Sequence, residues 1–178
     1  GWSQGAGDGD ANAFNELDEG FGAGRGSGSG PDDATTYWQC VTDAADLRTN
    51  LSAVTDPGVD TGHVLRTRNR KHTSGGQQID VFLRLTKQNG TTIVQQNFAN
   101  VDDVWTTRTI NLTEAAAGLI DSYSDLEATT IHDEVGGGAG RNTQESAHEF
   151  ECPDAAGVTP ITGTESLKIG LTDASAIL

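Results

Sequence analysis

Residues 77 to 87, QQIDVFLRLTK, alternate between apolar and mainly polar side chains, and this stretch constrains the fold more than any other part of the sequence. Successive side chains of a β-strand point to opposite faces, so such a pattern predicts a strand with one buried face. The Asn89-Gly90 dipeptide that follows is a strong signal for a β-hairpin turn. Residues 91–99 are therefore predicted to return as the partner strand. The predicted buried face consists of Ile79, Val81, Leu83 and Leu85.

Other segments show a similar texture, rich in Thr, Val and aromatic residues and separated by Gly-rich or polar turns. One short helix is predicted to begin after Thr113 as its N-cap and to end near Asp121. Many short strands without strand–helix alternation predict an all-β fold, an antiparallel β-sandwich of the jelly-roll type. The further predicted strands are 35–42, 61–73, 105–113, 126–135 and 142–152.

The composition divides the 178-residue chain into three parts. Residues 1–33 are Gly-rich and are predicted to form a flexible, extended N-terminal arm. Residues 34–153 are predicted to form the sandwich domain. Residues 154–178 are predicted to form an extended tail, in which an alternating apolar pattern suggests a strand added to a neighbouring molecule.

The net charge of −15 and the pI of about 4.3 make nucleic acid an unfavourable partner. No apolar run reaches the roughly 18 to 20 residues that a membrane-spanning helix needs, so no membrane partner is predicted. Cys40 and Cys152 have no metal-binding spacing. They are predicted to be two buried thiols, and a disulfide between the first and last strands is the alternative.

An acidic stretch near the N-terminus has oxygen-bearing side chains at alternate positions, as a calcium loop does. However, the position that requires Gly for the sharp turn of an EF-hand is Ala13, and Gly-rich chain flanks the stretch on both sides. No cofactor is therefore predicted, and a structural Ca²⁺ site shared with another subunit is the alternative. The candidate ligands are Asp8, Asp10, Asn12, Glu16 and Glu19.

Two sets of residues are predicted to bind partners. Large apolar residues are spaced along the N-terminal arm, where they are expected to fill grooves on a neighbouring subunit: Trp2, Phe14, Leu17 and Phe21. A basic run, RTRNRK, places its three arginines on one face of a strand. This stripe is predicted to dock on an acidic surface, and pairing with carboxylates of the same chain is the alternative. Its members are Arg66, Arg68, Arg70 and Lys71.

No catalytic motif is apparent. The four histidines lack metal-ligand spacing, and the Ser and His of ESAHE (145–149) have neither a nucleophile elbow nor an assignable third partner. The protein is therefore predicted not to be an enzyme.

The order and spacing of several segments resemble those of β-sandwich structural proteins encoded by tailed viruses. The resemblance covers residues 15 to 152 approximately, and no single motif in it is specific. It implies a structural role in the virion and makes NELDEG a leader into the first strand rather than a ligand loop. The segments are NELDEG (15–20), PDDATTYWQC (31–40), RTRNRK (66–71), the hairpin 83–93 and IDSYSDL (120–126).

The sequence thus predicts a virion structural protein, foremost a capsid decoration or cement protein that acts by binding alone. Its expected partners are copies of itself and other virion proteins such as the major capsid protein. A tail, neck or fibre component of the virion is one alternative. The other is a lectin-like carbohydrate-binding module that would use an exposed aromatic residue to bind a glycan. The aromatic candidates are Tyr37, Trp38, Trp105 and Tyr123.

Overall fold

The computed structural model describes residues 2–6, 33, 37–40, 42–51, 53–72, 77–136 and 142–153. Within these ranges the chain forms nine strands and one four-residue helix. The elements are β1 (Trp2–Ala6), β2 (Tyr37–Cys40), β3 (Ala45–Asn50), β4 (Val64–Lys71), β5 (Gln78–Lys87), β6 (Thr92–Phe98), β7 (Thr106–Asn111), α1 (Glu114–Ala117), β8 (Leu126–Val135) and β9 (Thr143–Glu151).

The strands form two antiparallel sheets. The larger sheet has the order β1-β2-β9-β4-β7, and the smaller sheet has the order β3-β8-β5-β6. Strands that are distant in sequence are neighbours in both sheets, as is usual where Greek-key connections link two packed sheets. The prediction of an all-β antiparallel sandwich with one short helix is confirmed.

The hairpin of β5 and β6 forms as predicted. Gly90 adopts φ of +88°, a conformation that favours glycine because it has no Cβ. The Gly90 N–H donates to the Lys87 carbonyl at 2.8 Å and closes the turn. The alternating residues of β5, from Ile79 to Leu85, are fully buried between the sheets.

Thr113 is the N-cap of α1, as predicted, and its side chain accepts a hydrogen bond from the Ala116 N–H at 3.2 Å. The helix ends earlier than predicted. Beyond Ala117 the backbone hydrogen bonds of Leu119 and Ile120 reach back three residues instead of four, so the chain tightens and leaves the α-helical path.

The apolar core occupies one end of the sandwich, beneath α1 and the β5–β6 hairpin. Both sheets contribute to it: Leu126 of β8 and Leu65 of β4 belong to the same cluster, and both are at most 1% exposed. The buried members are Leu65, Leu83, Leu85, Ile93, Ile110, Leu112, Ala117, Tyr123, Leu126 and Ala128. A second, smaller apolar cluster consists of Ile79, Val81 and Val101. Much of the remaining interior is polar, and this difference positions the features described below.

Two strands were not predicted. β3 contains a single buried apolar side chain, Leu47, and it is a strand because it pairs with the edge of β8. β1 lies within the predicted flexible arm, yet Trp2–Ala6 pairs with β2 as the outermost strand of the larger sheet. The arm prediction therefore requires correction for these five residues. Apart from Asp33, the rest of residues 7–36 before β2 and the predicted tail 154–178 lie outside the described residues.

The geometry excludes a disulfide between Cys40 and Cys152. Cys40 pairs with Thr143 at the beginning of β9, whereas Cys152 follows the end of that strand. Thr143 and Cys152 are nine residues apart, so at about 3.3 Å per residue Cys40 and Cys152 lie roughly 30 Å apart along the sheet. A disulfide requires a Cα–Cα distance below about 7 Å. Cys152 is half-buried, and burial raises the pKa of its thiol to about 11.

Candidate binding surface on the outer face of the larger sheet

The predicted basic stripe lies on β4 and faces outward. The burial of β4 alternates: Leu65, Thr67 and Asn69 are fully buried, whereas the three arginines between and after them are half-buried. The inner face of β4 is therefore apolar at Leu65 and polar at Thr67 and Asn69, and its outer face carries the three arginines.

Two arginines of the stripe pair with carboxylates of the same chain. Arg66 Nη1 lies 2.7 Å from Glu149 and 2.6 Å from Glu151. Arg68 donates from Nε and Nη2 to the carboxylate of Asp33, at 2.6 to 2.9 Å. The intramolecular alternative is thus the arrangement that the structure shows for these two residues, while docking of the stripe on a partner stays a prediction. Lys71 Nζ donates to the Gln77 carbonyl at 3.3 Å.

Arg70 is arranged differently. It forms no salt bridge with the side chains that the structure describes, and its Nε instead donates to Gln144 Oε1 at 2.8 Å. Its guanidinium carbon lies 4.7 Å from the centre of the Trp105 ring, which is cation–π geometry. Gln144 is only 1% exposed, so it holds the guanidinium from beneath.

Tyr37 completes a cluster that we call the aromatic patch: Tyr37, Arg70 and Trp105. Tyr37 begins β2 and Trp105 directly precedes β7, so the two come from strands separated by β9 and β4. Their ring centres are nevertheless 6.1 Å apart, and the ring planes are tilted by 59°. Both rings are half-buried, which leaves part of each accessible.

The other two aromatic candidates are not part of this surface. Trp38 pairs with Glu145 across β2 and β9 and faces the interior of the sandwich. Tyr123 is 7% exposed, and its hydroxyl lies 2.7 Å from His63 Nε2 in the core. Burial raises the pKa of Tyr123 to about 12.

A second group of chemically active side chains lies inside the sandwich. Between β4 and β9 the register shifts, so that Arg68 is opposite Ala147 while Asn69 is opposite Glu145. Ser146 is the extra residue of this β-bulge, and its hydroxyl donates outward to Asp33 at 2.8 Å. The bulge turns both Glu145 and His148 inward, although residues three apart on a regular strand face opposite ways. For that reason the spacing of these residues in the sequence does not predict the pair.

Glu145 and His148 organise a buried polar cluster, which we define as Thr49, Thr67, Thr130, Glu145 and His148. His148 Nε2 lies 3.1 Å from Glu145 Oε1 and 2.7 Å from the Thr130 hydroxyl. His148 Nδ1 lies 2.9 Å from the Thr49 hydroxyl, and the Thr67 hydroxyl donates to Glu145 Oε1. Burial raises the pKa of Glu145 above its ordinary value, against the opposing effect of His148.

Arg108 borders the cluster from β7, where its Nε donates to Asn69 Oδ1 at 2.7 Å. Burial lowers the pKa of Arg108, while the carboxylates of Asp102 and Glu145 oppose that shift. The side chains of Glu145 and His148 are both 0% exposed. The acid–base pair is thus shielded from solvent, and its arrangement fits a structural role.

The remaining predicted site residues are placed as follows. Trp2 donates its indole N–H to the Ala45 carbonyl at 2.9 Å, so this predicted anchor for a neighbour contacts its own chain. The other arm residues and the candidate calcium ligands lie outside the described residues: Asp8, Asp10, Asn12, Phe14, Glu16, Leu17, Glu19 and Phe21.

Within the described ranges, no three or more His, Cys, Asp or Glu side chains come together as metal ligands. In that same part of the chain, no helix has the length and apolar character needed to cross a bilayer.

Comparison with known proteins finds resemblance in structure alone. No protein-family model matches the sequence, and no curated protein sequence matches it. A solved structure described as "Family 16 Carbohydrate Binding Module-2" is 15% identical, with a TM-score of 0.41, covering 66% of this chain and 77% of its own. A sugar-binding "EclA C-terminal domain" is 14% identical, with a TM-score of 0.45, and the match covers 80% of this chain and 98% of that domain. A chain of the T13 viral particle of IBDV is 14% identical, with a TM-score of 0.30, and the match covers 66% of this chain and 34% of that chain. Likenesses of this size do not indicate what this chain binds, because one fold hosts many functions.

Proposed function

We propose that this protein is a non-catalytic carbohydrate-binding β-sandwich and that the aromatic patch is its binding site. The observation that carries the proposal is the meeting of Tyr37, Trp105 and Arg70 on one outer sheet face, although they come from three separate segments. Ligand sites combine aromatic surface with a few oriented polar groups. Here the rings of Tyr37 and Trp105 supply the aromatic surface. The guanidinium of Arg70, which pairs with no described carboxylate, supplies the oriented polar group.

The geometry of the patch favours a particular kind of ligand. Rings whose planes are tilted by 59° do not form one flat platform. Such an arrangement suits a single sugar ring or a chain end better than the flat face of a polysaccharide. Arg70 has five N–H donors, and its Nε–H donates to Gln144; in the proposed site the Nη donors bind sugar hydroxyls.

Binding is tested with the full chain on a glycan array, followed by calorimetric titration of the best ligand. We expect Trp105→Ala and Arg70→Ala each to weaken binding at least tenfold, and Trp105→Phe to retain part of it. Arg48→Ala is the matched control, because Arg48 is an exposed arginine on the smaller sheet. Absence of any glycan ligand, or equal binding by Trp105→Ala, would refute the proposal.

A second candidate is the virion structural role, foremost capsid decoration by binding alone, with assembly in a host cell. It is favoured by the N-terminal strand at the outer edge of a sheet, joined to the domain by a Gly-rich sequence that carries Phe14, Leu17 and Phe21. In this role those residues and the basic stripe would contact other copies or a major capsid protein. Mass spectrometry of purified virus particles, with immunogold imaging, tests it. Absence of the protein from the particles would count against it.

A further inference from the structure

β1 is connected to the rest of its sheet in an unusual way. Its only strand partner within the described residues is β2, and Ala6 lies opposite Tyr37 at the end of that ladder. The connection from residue 7 to residue 36 thus begins and ends side by side. Antiparallel neighbours are ordinarily joined by two to five residues, whereas this connection has 30.

The length and composition of the connection weaken the tie between β1 and its own domain. Eight of its 30 residues are glycine. Asp33 within the connection is held by Arg68 and Ser146, so 26 residues, 7–32, separate β1 from the next described contact of the chain. A second copy at millimolar concentration would compete for the same edge.

The contacts that hold β1 are the same whichever copy supplies it. They comprise the ladder with β2 and the hydrogen bond from the Trp2 indole to Ala45 of β3. Without β1, the edge of β2 would present unpaired N–H and C=O groups, which are the template for adding a strand.

We propose that β1 is an exchangeable strand: Trp2–Ala6 of one copy completes the larger sheet of a second copy. Reciprocal exchange gives a closed dimer, and one-way exchange gives a chain of copies. The fraction of protein in the exchanged form rises with protein concentration, because β1 makes the same contacts within one copy as between two copies. The inference concerns self-association only, so it stands or falls independently of glycan binding.

The test places one new cysteine on each side of the β1–β2 ladder but in different molecules. Ser3 is exposed and lies directly opposite Gln39. Full-length Ser3→Cys and Gln39→Cys proteins, with different tags, are mixed at 10 µM and about 1 mM, unfolded briefly in urea, refolded and oxidised. Covalent heterodimer on a non-reducing gel forms only if β1 of one copy pairs with β2 of another.

Three controls define the outcome. The parent protein reports any reaction of Cys40 and Cys152. Thr109→Cys replaces Gln39→Cys in a second mixture, since Thr109 is exposed on β7, at the opposite edge of the same sheet. Ser3→Cys combined with Gln39→Cys in one chain reports the intramolecular pairing.

We expect the heterodimer to rise at least fivefold between the two concentrations and to be absent from the Thr109→Cys mixture. The proposal is overturned if the double variant closes within one chain while the mixed single variants give no heterodimer at about 1 mM. It is also overturned if Thr109→Cys cross-links equally, or if the double variant fails to close.

Discussion

Replacing Glu145 with alanine removes the carboxylate that organises the buried polar cluster. Thr67 then loses the acceptor of its hydroxyl, which costs about 1–3 kcal/mol for a buried group. His148 and Thr130 keep their mutual contact at 2.7 Å, but each loses its contact with Glu145 Oε1, at 3.1 Å and 3.3 Å respectively. The missing side chain leaves a cavity at a site that is 0% exposed. We expect Glu145→Ala to lower the free energy of unfolding by about 3–5 kcal/mol, the range for breaking a buried pair.

The isosteric Glu145→Gln change separates shape from charge. Burial raises the pKa of Glu145 in the folded state, so the native protein binds this proton more readily than the unfolded chain. The resulting stabilisation is complete below the unfolded value of about 4.5 and is lost as the pH rises through the folded pKa. Glutamine has no such proton. Relative to the parent, Glu145→Gln should therefore be most costly near pH 4.5 and progressively less costly towards pH 8.

Urea unfolding followed by tryptophan fluorescence measures both effects, and Trp38, the cross-strand neighbour of Glu145, lies close to the change. Asp103→Asn is the control, because it removes an exposed carboxylate and should change the free energy by less than about 0.5 kcal/mol. A loss below about 1 kcal/mol for Glu145→Ala at pH 7 would show that the cluster does not organise the polar end of the core. A pH-independent cost of Glu145→Gln would contradict the raised pKa.

Three further predictions concern local features. His132 is fully buried, and burial lowers its pKa. The neutral histidine therefore contributes stability above about pH 6.5, and this contribution is lost as the pH falls below that value. His132→Gln should reduce the loss of stability between pH 7.5 and 5.5, measured by urea titration. Gly90→Ala places a Cβ at φ of +88° and should cost about 1 kcal/mol, whereas an unchanged melting temperature would contradict the turn geometry. Thr113→Ala removes the N-cap of α1 and should cost about 1 kcal/mol by thermal melting, with Thr113→Ser close to the parent.

The sequence by itself determined those elements whose signals are local. β5, its hairpin turn at Gly90 and the N-cap at Thr113 follow from side-chain alternation, a left-handed backbone position and a hydroxyl that caps an N–H. Each signal depends on residues a few positions apart, so the surrounding fold did not alter it.

Only the tertiary structure decided the features that depend on contact between distant residues. β1 and β3 carry little apolar pattern and become strands because a neighbouring edge offers hydrogen bonds. The bulge at Ser146 exists only in the register of β9 against β4, and it alone brings Glu145 and His148 to the same face. Tyr37 and Trp105 are 68 positions apart in sequence, and the order of strands in the larger sheet makes them neighbours. Period-2 patterning specifies which side chains are buried, but strand register and order, which it leaves open, specify which side chains meet.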